Sequence, residues 1–239
     1  MKIPVIMCID VEPEAREIDL LDRADWTGFE RAARFFSQLR PKLERATRTA
    51  VRFNWFLRMD AQIAQAYGSA SWVVARYPEI FRELESAGDE LGLHTHAWRW
   101  DEPTRRWVAE HGNQEWVEHC VRLSFEAFER VMGRPCRSFR FGDRWMNNET
   151  MRLIEELGAR FDLTLEPGCK APRSRNKSEL STGALPDYSC VPRQPYRPSR
   201  ENFKEPDFAE RSRIHIIPLS TASPGHPTVR GLLNVKRTA

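Results

Sequence analysis

The chain has 239 residues, of which 41% are hydrophobic and 30% are charged. This length is enough for one large α/β domain with a substantial core, and the composition is that of an ordinary globular protein. Lys and Arg number 37 against 34 Asp and Glu, a net charge of +3 without a block of like charge, which argues against a nucleic-acid-binding protein.

No window of the sequence is apolar over the length that crosses a membrane. Residues 1–6 lead directly into an acidic pair and lack the apolar core and cleavage site of a signal peptide. The five cysteines are scattered, odd in number and without C-x-x-C spacing, which favours free thiols in a reducing compartment over a disulfide framework. We therefore expect a cytoplasmic protein without a membrane span.

Segments with strand and helix patterns alternate along the chain. In chain order they are a strand at 3–9, a helix at 26–45, a strand at 51–57, a helix at 72–87, a strand at 90–94, a helix at 114–132, a strand at 138–141, a helix at 148–157, a strand at 160–165 and a last strand at 214–218. This alternation predicts a single domain, residues 1–239, with a parallel sheet or barrel and helices outside it. Residues 168–210 are expected to form an irregular loop region.

Two histidines stand two residues apart at the end of the predicted strand 90–94. On a strand, His94 and His96 point the same way and could share one divalent metal. Asp10 and Glu12 show the same spacing at the end of the first strand. Because the carboxyl ends of parallel strands meet at one edge, two histidines and a carboxylate there predict a catalytic metal site and a metal-dependent hydrolase.

Structural interpretations of the same residues remain open at this point. One histidine could be buried and the other exposed beside a turn, and Asp10 and Glu12 could be caps before a helix. Further polar residues follow other strands, namely Arg58 with Asp60 and the segment Arg140–Arg144. Their common position at strand ends argues for one shared site. His111 and His119 lie on or near a polar helix, so we predict no role for them.

Several of these segments together resemble motifs of the polysaccharide deacetylase (NodB-homology) family. Asp10-Val11-Glu12 stands where that family has an acidic strand end, and the run from Glu90 to His96 is similar to its Gly-then-His-Thr metal motif. The run from Ser138 to Gly142, then a helix and the run from Leu157 to Asp162, is similar to its arginine-bearing third motif and next strand. The segments 56–60 and 196–199 resemble a divergent intracellular branch linked to surface-polysaccharide biosynthesis.

This resemblance implies a distorted or partly open (β/α) barrel of about seven parallel strands. Only about six strands are recognisable, fewer than the eight of a closed barrel. The family's second histidine lies four residues after the first, where this chain has Trp98, so the second ligand is assigned to His96. The family's adjacent acidic pair is split here by Val11, which leaves open which of Asp10 and Glu12 is a metal ligand and which is the base.

The activity implied is hydrolysis of an N-acyl group, acetyl or formyl, or an O-acyl group, on a sugar. One divalent metal would be required, with zinc favoured and nickel, cobalt or manganese also suited to such ligands. The family pattern makes Asp10 the general base, paired with Arg140, and Glu12 a ligand. His215, on the last strand, is the candidate general acid. The expected sugar-binding residues are Arg58, Asp60, Trp98 and Trp145.

Two other functions fit the same sequence. One is another metal-dependent amidohydrolase-type barrel, although such enzymes carry an H-x-H motif on the first strand and here it falls on the third. The other is a non-catalytic sugar-binding protein that keeps the fold, which the replacement by Trp98 and the split acidic pair would support. In structural terms, His215 between isoleucines could be a core histidine and Arg140 could form a surface ion pair.

Overall fold

The computed structural model describes residues 5–171, 180–209 and 211–219. The strands are β1 (Cys8–Val11), β2 (Asn54–Arg58), β3 (Glu90–Thr95), β4 (Trp98–Asp101), β5 (Arg106–Glu110), β6 (Ser138–Phe141), β7 (Phe161–Asp162), β8 (Leu180–Thr182) and β9 (His215–Ile216). The helices are α1 (Thr27–Thr47), α2 (Ala61–Tyr67), α3 (Trp72–Arg76), α4 (Pro78–Ser86), α5 (Gln114–Met132) and α6 (Asn148–Glu156), with a short 3-10 turn at Gly142–Arg144.

Six strands form one parallel sheet in the order β1-β2-β3-β6-β7-β9. The predicted α/β class is therefore confirmed. Within the described ranges β1 and β9 are the two edges and do not pair with each other, which agrees with a partly open barrel. The described strands of this sheet number six, where about seven were expected.

One register row of this sheet forms the centre of the core. Its members lie side by side on neighbouring strands and are fully buried: Val11, Leu57, Leu93, Phe139, Asp162 and Ile216. Because side chains alternate along a strand, the next row towards the carboxyl ends points to the opposite face. That next row contains Arg58, His94 and Arg140 in register, which places the predicted polar residues together.

Three elements differ from the sequence predictions. The predicted helix at 72–87 is divided into α3 and α4, because Pro78 lacks an N–H and disfavours helical geometry at Tyr77, which has φ −126° and ψ 50°. Helix α2 was not predicted. Its first backbone N–H groups, those of Gln62 and Ile63, donate to the Asp60 carboxylate at 3.1 and 3.2 Å.

The third difference is a small second sheet. Strands β4 and β5 form an antiparallel hairpin directly after β3, and β8 pairs with β5 in parallel. The hairpin was read as a connection between β3 and α5, and β8 lies within the region expected to be irregular. Among the described helices, none is long and apolar enough to cross a membrane.

A buried carboxylate joins the loop before β3 to α1 and β2. Asp89 accepts two hydrogen bonds from the Arg40 guanidinium, at 2.8 and 2.7 Å. It also accepts the Phe53 backbone N–H and the Trp55 indole N–H, each at 2.9 Å. The Asp89 side chain has no exposed surface and that of Arg40 is 15% exposed, so the Asp89 carboxylate has no bulk water as an alternative partner.

We expect Asp89→Ala to destabilise the protein strongly. The change leaves Arg40 and two further donors without their acceptor, and removing one partner of a buried pair costs about 3–5 kcal/mol. Urea unfolding measures this difference. The matched control is Glu79→Ala, whose partner Arg82 is exposed, so we expect a loss of at most about 1 kcal/mol. Equal losses for the two variants would contradict the structural role of Asp89.

Asp162 makes folding stability depend on pH. Burial raises the pKa of Asp162 from 3.8 to about 7, although hydrogen bonds from Thr164 and the charge of Arg140 act in the opposite direction. The folded state thus binds a proton between pH 4 and 7 that the unfolded state has released, so stability falls as pH rises through that window. The decrease amounts to roughly 4 kcal/mol at most, at about 1.4 kcal/mol per pH unit.

The variant Asp162→Asn tests this dependence, because the amide does not titrate and its oxygen can still accept from Thr164. We expect the free energy of unfolding of the native protein to fall relative to this variant between pH 4 and 7. Urea unfolding at several pH values gives the comparison. Parallel curves for the two proteins would show that Asp162 is ionised in the fold throughout.

Candidate metal centre

Four neighbouring strands deliver polar side chains to one end of the parallel sheet. Glu12 follows β1 directly, Arg58 is the last residue of β2, His94 lies on β3 and Arg140 on β6. His96 follows β3 by one residue. Since these strands are parallel and adjacent, their carboxyl ends converge, which is where open α/β sheets bind ligands.

Glu12, His94 and His96 bring one potential ligand atom each to a common point. These three atoms lie within 4.8 Å of one another. The Nε2 atoms of His94 and His96 are 2.9 Å apart, and the Glu12 Oε2 atom is 3.8 Å from each. Both histidine side chains are almost completely buried, whereas Glu12 is 38% exposed, so solvent reaches this group from the Glu12 side.

His94 is oriented by the backbone of β6. Its Nδ1 atom lies 3.3 Å from the Arg140 carbonyl oxygen, an acceptor that favours a proton on Nδ1 and leaves the Nε2 lone pair directed at the group. Burial lowers the pKa of His94, and His96 lowers it further, against the effect of Asp10 and Glu12. The neutral imidazole is the form that binds a metal.

A buried ion pair contacts two of the three potential ligand residues. The Arg58 Nε atom donates to Asp60 Oδ2 at 2.9 Å, and both side chains are fully buried. The same Asp60 oxygen accepts the backbone N–H of His96 at 2.9 Å, and Arg58 Nη1 lies 3.5 Å from Glu12 Oε2. Arg58 also donates to the Gln62 side-chain carbonyl. Burial would raise the pKa of Asp60, but the charges of Arg58 and His96 lower it below its usual value.

His96 is enclosed by the segment that follows β6. The Asp143 Oδ2 atom lies 3.3 Å from His96 Nδ1, and the Trp98 indole N–H donates to the same nitrogen at 3.1 Å. Asp143 also forms an ion pair with Arg16 and lies 3.7 Å from His111 Nε2. Burial would raise the pKa of Asp143, but His96, Arg16 and His111 together lower it well below its usual value.

The donor atoms fit a divalent metal. Two imidazole nitrogens and one carboxylate oxygen form a three-ligand set that leaves a position for water, as in catalytic zinc sites. The two Nε2 atoms face each other, and the single exposed member allows access from solvent. Within the described residues this is the one group of three such side chains.

Asp10 and Arg140 are brought together next to this group. Arg140 Nε lies 3.6 Å from Asp10 Oδ2, within ion-pair distance. Asp10 does not belong to the three-ligand set, which leaves Glu12 as its carboxylate. The Asp10 Oδ1 atom is buried and accepts no hydrogen bond from the described residues, so a proton-accepting atom faces the interior.

The structure gives the surroundings of the other predicted site residues. His215 lies on the edge strand β9, where its Nε2 accepts from Arg197 at 3.2 Å. Trp98 has no exposed surface and Trp145 stacks on His111 with centroids 5.5 Å apart, so neither ring offers a face to a sugar. Arg58 and Asp60, predicted to bind sugar, are both fully buried and pair with each other beside the three ligands.

Sequence reasoning missed Asp143, His111 and Arg16. The carboxylate of Asp143 reaches His96 because residues 143 and 144 adopt φ values of 57° and 56°, a left-handed conformation that no pattern of hydrophobic residues encodes. The only signal for this turn in the sequence was the glycine that precedes Asp143. His111 was assigned to a polar surface because the hairpin that buries it was not recognised.

Comparison with models of known protein families finds no match, and neither does comparison with curated proteins. Similar chain paths occur among solved structures. A protein assigned as a polysaccharide deacetylase from Mycobacterium smegmatis has 14% identity and a TM-score of 0.46, over 98% of this chain and 72% of that chain. Puue allantoinase has 12% identity and a TM-score of 0.43, over 90% of this chain and 61% of that chain.

The polysaccharide deacetylase Bc1974 from Bacillus cereus has 12% identity and a TM-score of 0.37, over 68% of this chain and 60% of that chain. At these identities and TM-scores the similarity concerns the general path of the chain. The role of each residue in the candidate centre therefore depends on the geometry described above.

We expect Gly142→Ala to disturb this centre selectively. A Cβ atom on residue 142 would overlap the His96 ring, and such overpacking costs about 1–3 kcal/mol. Urea unfolding and zinc titration of the purified variant would both show a loss. Gly28→Ala is the matched control, since its Cβ would meet only the Glu14 side chain at ordinary contact distance. Unchanged zinc binding in Gly142→Ala would contradict the close packing on His96.

Proposed function

We propose that this chain is a metal-dependent hydrolase that removes an N-acyl group, acetyl or formyl, from a sugar or polysaccharide precursor. The observation that carries the proposal is the convergence of Glu12, His94 and His96 at the carboxyl ends of parallel strands, with solvent access on the Glu12 side. The resemblance of the strand-end motifs to the polysaccharide deacetylases supplies the sugar and the acyl group.

Glu12, His94 and His96 would hold one divalent metal, for which zinc suits the donor atoms. Bound there, the metal supplies an activated water at neutral pH and polarises the acyl carbonyl. Burial keeps His94 neutral, as a ligand must be, and Arg58 places a positive charge 3.5 Å from Glu12 that holds this carboxylate in position.

Asp10 is the proposed general base, with Arg140 orienting its carboxylate from 3.6 Å. Asp10 takes one proton from the attacking water as the water oxygen bonds to the acyl carbon. When the C–N bond breaks, the leaving amine needs a proton. We assign its return to Asp10, because the His215 Nε2 atom already accepts a hydrogen bond from Arg197.

Metal content of the purified protein tests the first part of this proposal. We expect about one equivalent of zinc or a similar metal, lost in His94→Ala, His96→Ala and Glu12→Gln. The control is His119→Ala, which removes an exposed histidine on α5 and should leave the metal in place. A native protein that holds no metal and takes up no added zinc would overturn the mechanism and favour a sugar-binding protein of this fold.

Asp10→Asn tests the chemical step separately. The variant should keep its metal, because Asp10 lies outside the three ligands, while kcat falls by about 10²–10⁴ for loss of a general base. The measurement is release of acetate or formate from a panel of N-acyl sugars, with the native protein alongside. A metal-loaded Asp10→Asn variant with native kcat would exclude Asp10 as the base.

A further inference from the structure

The Nδ1 atom of His96 lies between two partners that require opposite protonation states. The Trp98 indole nitrogen, 3.1 Å away, can only donate, so it needs a lone pair on Nδ1. The Asp143 carboxylate, 3.3 Å away, can only accept, so it needs a proton there. A neutral imidazole has one such proton, and these two contacts therefore compete for its location.

The location of that proton decides what the other ring nitrogen can do. His96 Nε2 lies 2.9 Å from His94 Nε2 and 3.8 Å from Glu12 Oε2. With the proton on Nδ1, the Nε2 lone pair is directed at these two groups and can bind a metal. With the proton on Nε2, that nitrogen donates to the His94 Nε2 lone pair and cannot be a ligand, so in the metal-free protein His94 favours this tautomer as Trp98 does.

Asp143 is held so that its carboxylate stays in place. Its backbone has a φ of 57°, a conformation that costs free energy for a residue other than glycine and persists only when its surroundings enforce it. Gly142 before it packs directly on the His96 ring, and Arg16 forms an ion pair with the carboxylate. A hydrogen bond to a charged acceptor is roughly twice as strong as a neutral one, so the contact with Asp143 counteracts the Trp98 donor and the His94 acceptor together.

We propose that Asp143 is a positioning residue that favours the Nδ1 position for the proton of neutral His96, against the Trp98 donor and the His94 acceptor, and so makes Nε2 available as a metal ligand. The consequence for metal binding depends on the function proposed above, whereas the location of the proton does not. Asp143 itself touches neither metal nor substrate in this role.

Nitrogen NMR of the histidine rings tests the proposal directly. The chain has six histidines, so ring signals of the metal-free, labelled protein can be assigned with the variant His96→Ala. We expect the fraction of His96 rings that carry the proton on Nδ1 to be lower in Asp143→Asn than in the native protein. Zinc affinity, measured by competition with a chelator, should fall 10–100-fold in Asp143→Asn, as for other residues that orient a ligand.

The double variant Asp143→Asn, Trp98→Phe separates this role from a general structural one. Removal of the indole donor should return the proton to Nδ1 and recover much of the zinc affinity. If Asp143 only maintained the packing around His96, a second substitution at Trp98 would recover neither. Asp101→Asn, on the same hairpin as Trp98 and hydrogen-bonded to Thr104, is the control and should change neither measurement.

Two results would overturn the inference. One is a His96 proton that stays on Nδ1 in Asp143→Asn, and the other is a double variant with no recovery of the Nδ1 proton. If the native protein binds no zinc at all, the proposed function fails, but the location of the proton in the metal-free protein still decides the role of Asp143.

Discussion

The buried ion pair between Arg58 and Asp60 is the constraint that organises the candidate centre. Asp60 begins α2, accepts the His96 backbone N–H and pairs with Arg58, which in turn approaches Glu12. Desolvating two charges is costly, and their mutual attraction repays that cost only when the remaining donors and acceptors also find partners. Here the Gln62 side chain and a backbone N–H group in the first turn of α2 supply these partners. The chain segments around Arg58, Glu12 and His96 therefore have to meet in one arrangement.

The parallel sheet and the second small sheet contribute differently to the centre around that pair. The parallel strands place Glu12, His94 and Arg140 at adjacent carboxyl ends, where spacing is set by the sheet itself. The hairpin and the turn after β6 enclose His96 with Trp98 and Asp143. The candidate ligands thus rest on regular structure, while their orientation depends on loops and on a backbone conformation with positive φ.

The sequence was sufficient for most of the parallel sheet because short apolar strands alternate with helices that have a clear end, as at Gly133 after α5. The period-two spacing likewise places His94 and His96 at one strand end. The hairpin β4-β5 was not predictable in this way, because Trp98 and Trp107 pack with residues of the chain between β1 and α1, which are distant in sequence. The burial of Trp98 and Trp145 was not predictable either, since exposure of a tryptophan depends on long-range packing.

The distribution of the three ligands along the chain has a consequence for local opening of the protein. His94 and His96 come from the central strand segment, whereas Glu12 follows β1, which among the described strands pairs with β2 alone and forms an edge of the sheet. Edge strands are the first to separate in local unfolding because fewer contacts hold them. A cation shared by these residues would fasten the amino-terminal edge to the middle of the sheet, so fraying of that edge and release of the cation would become a single event.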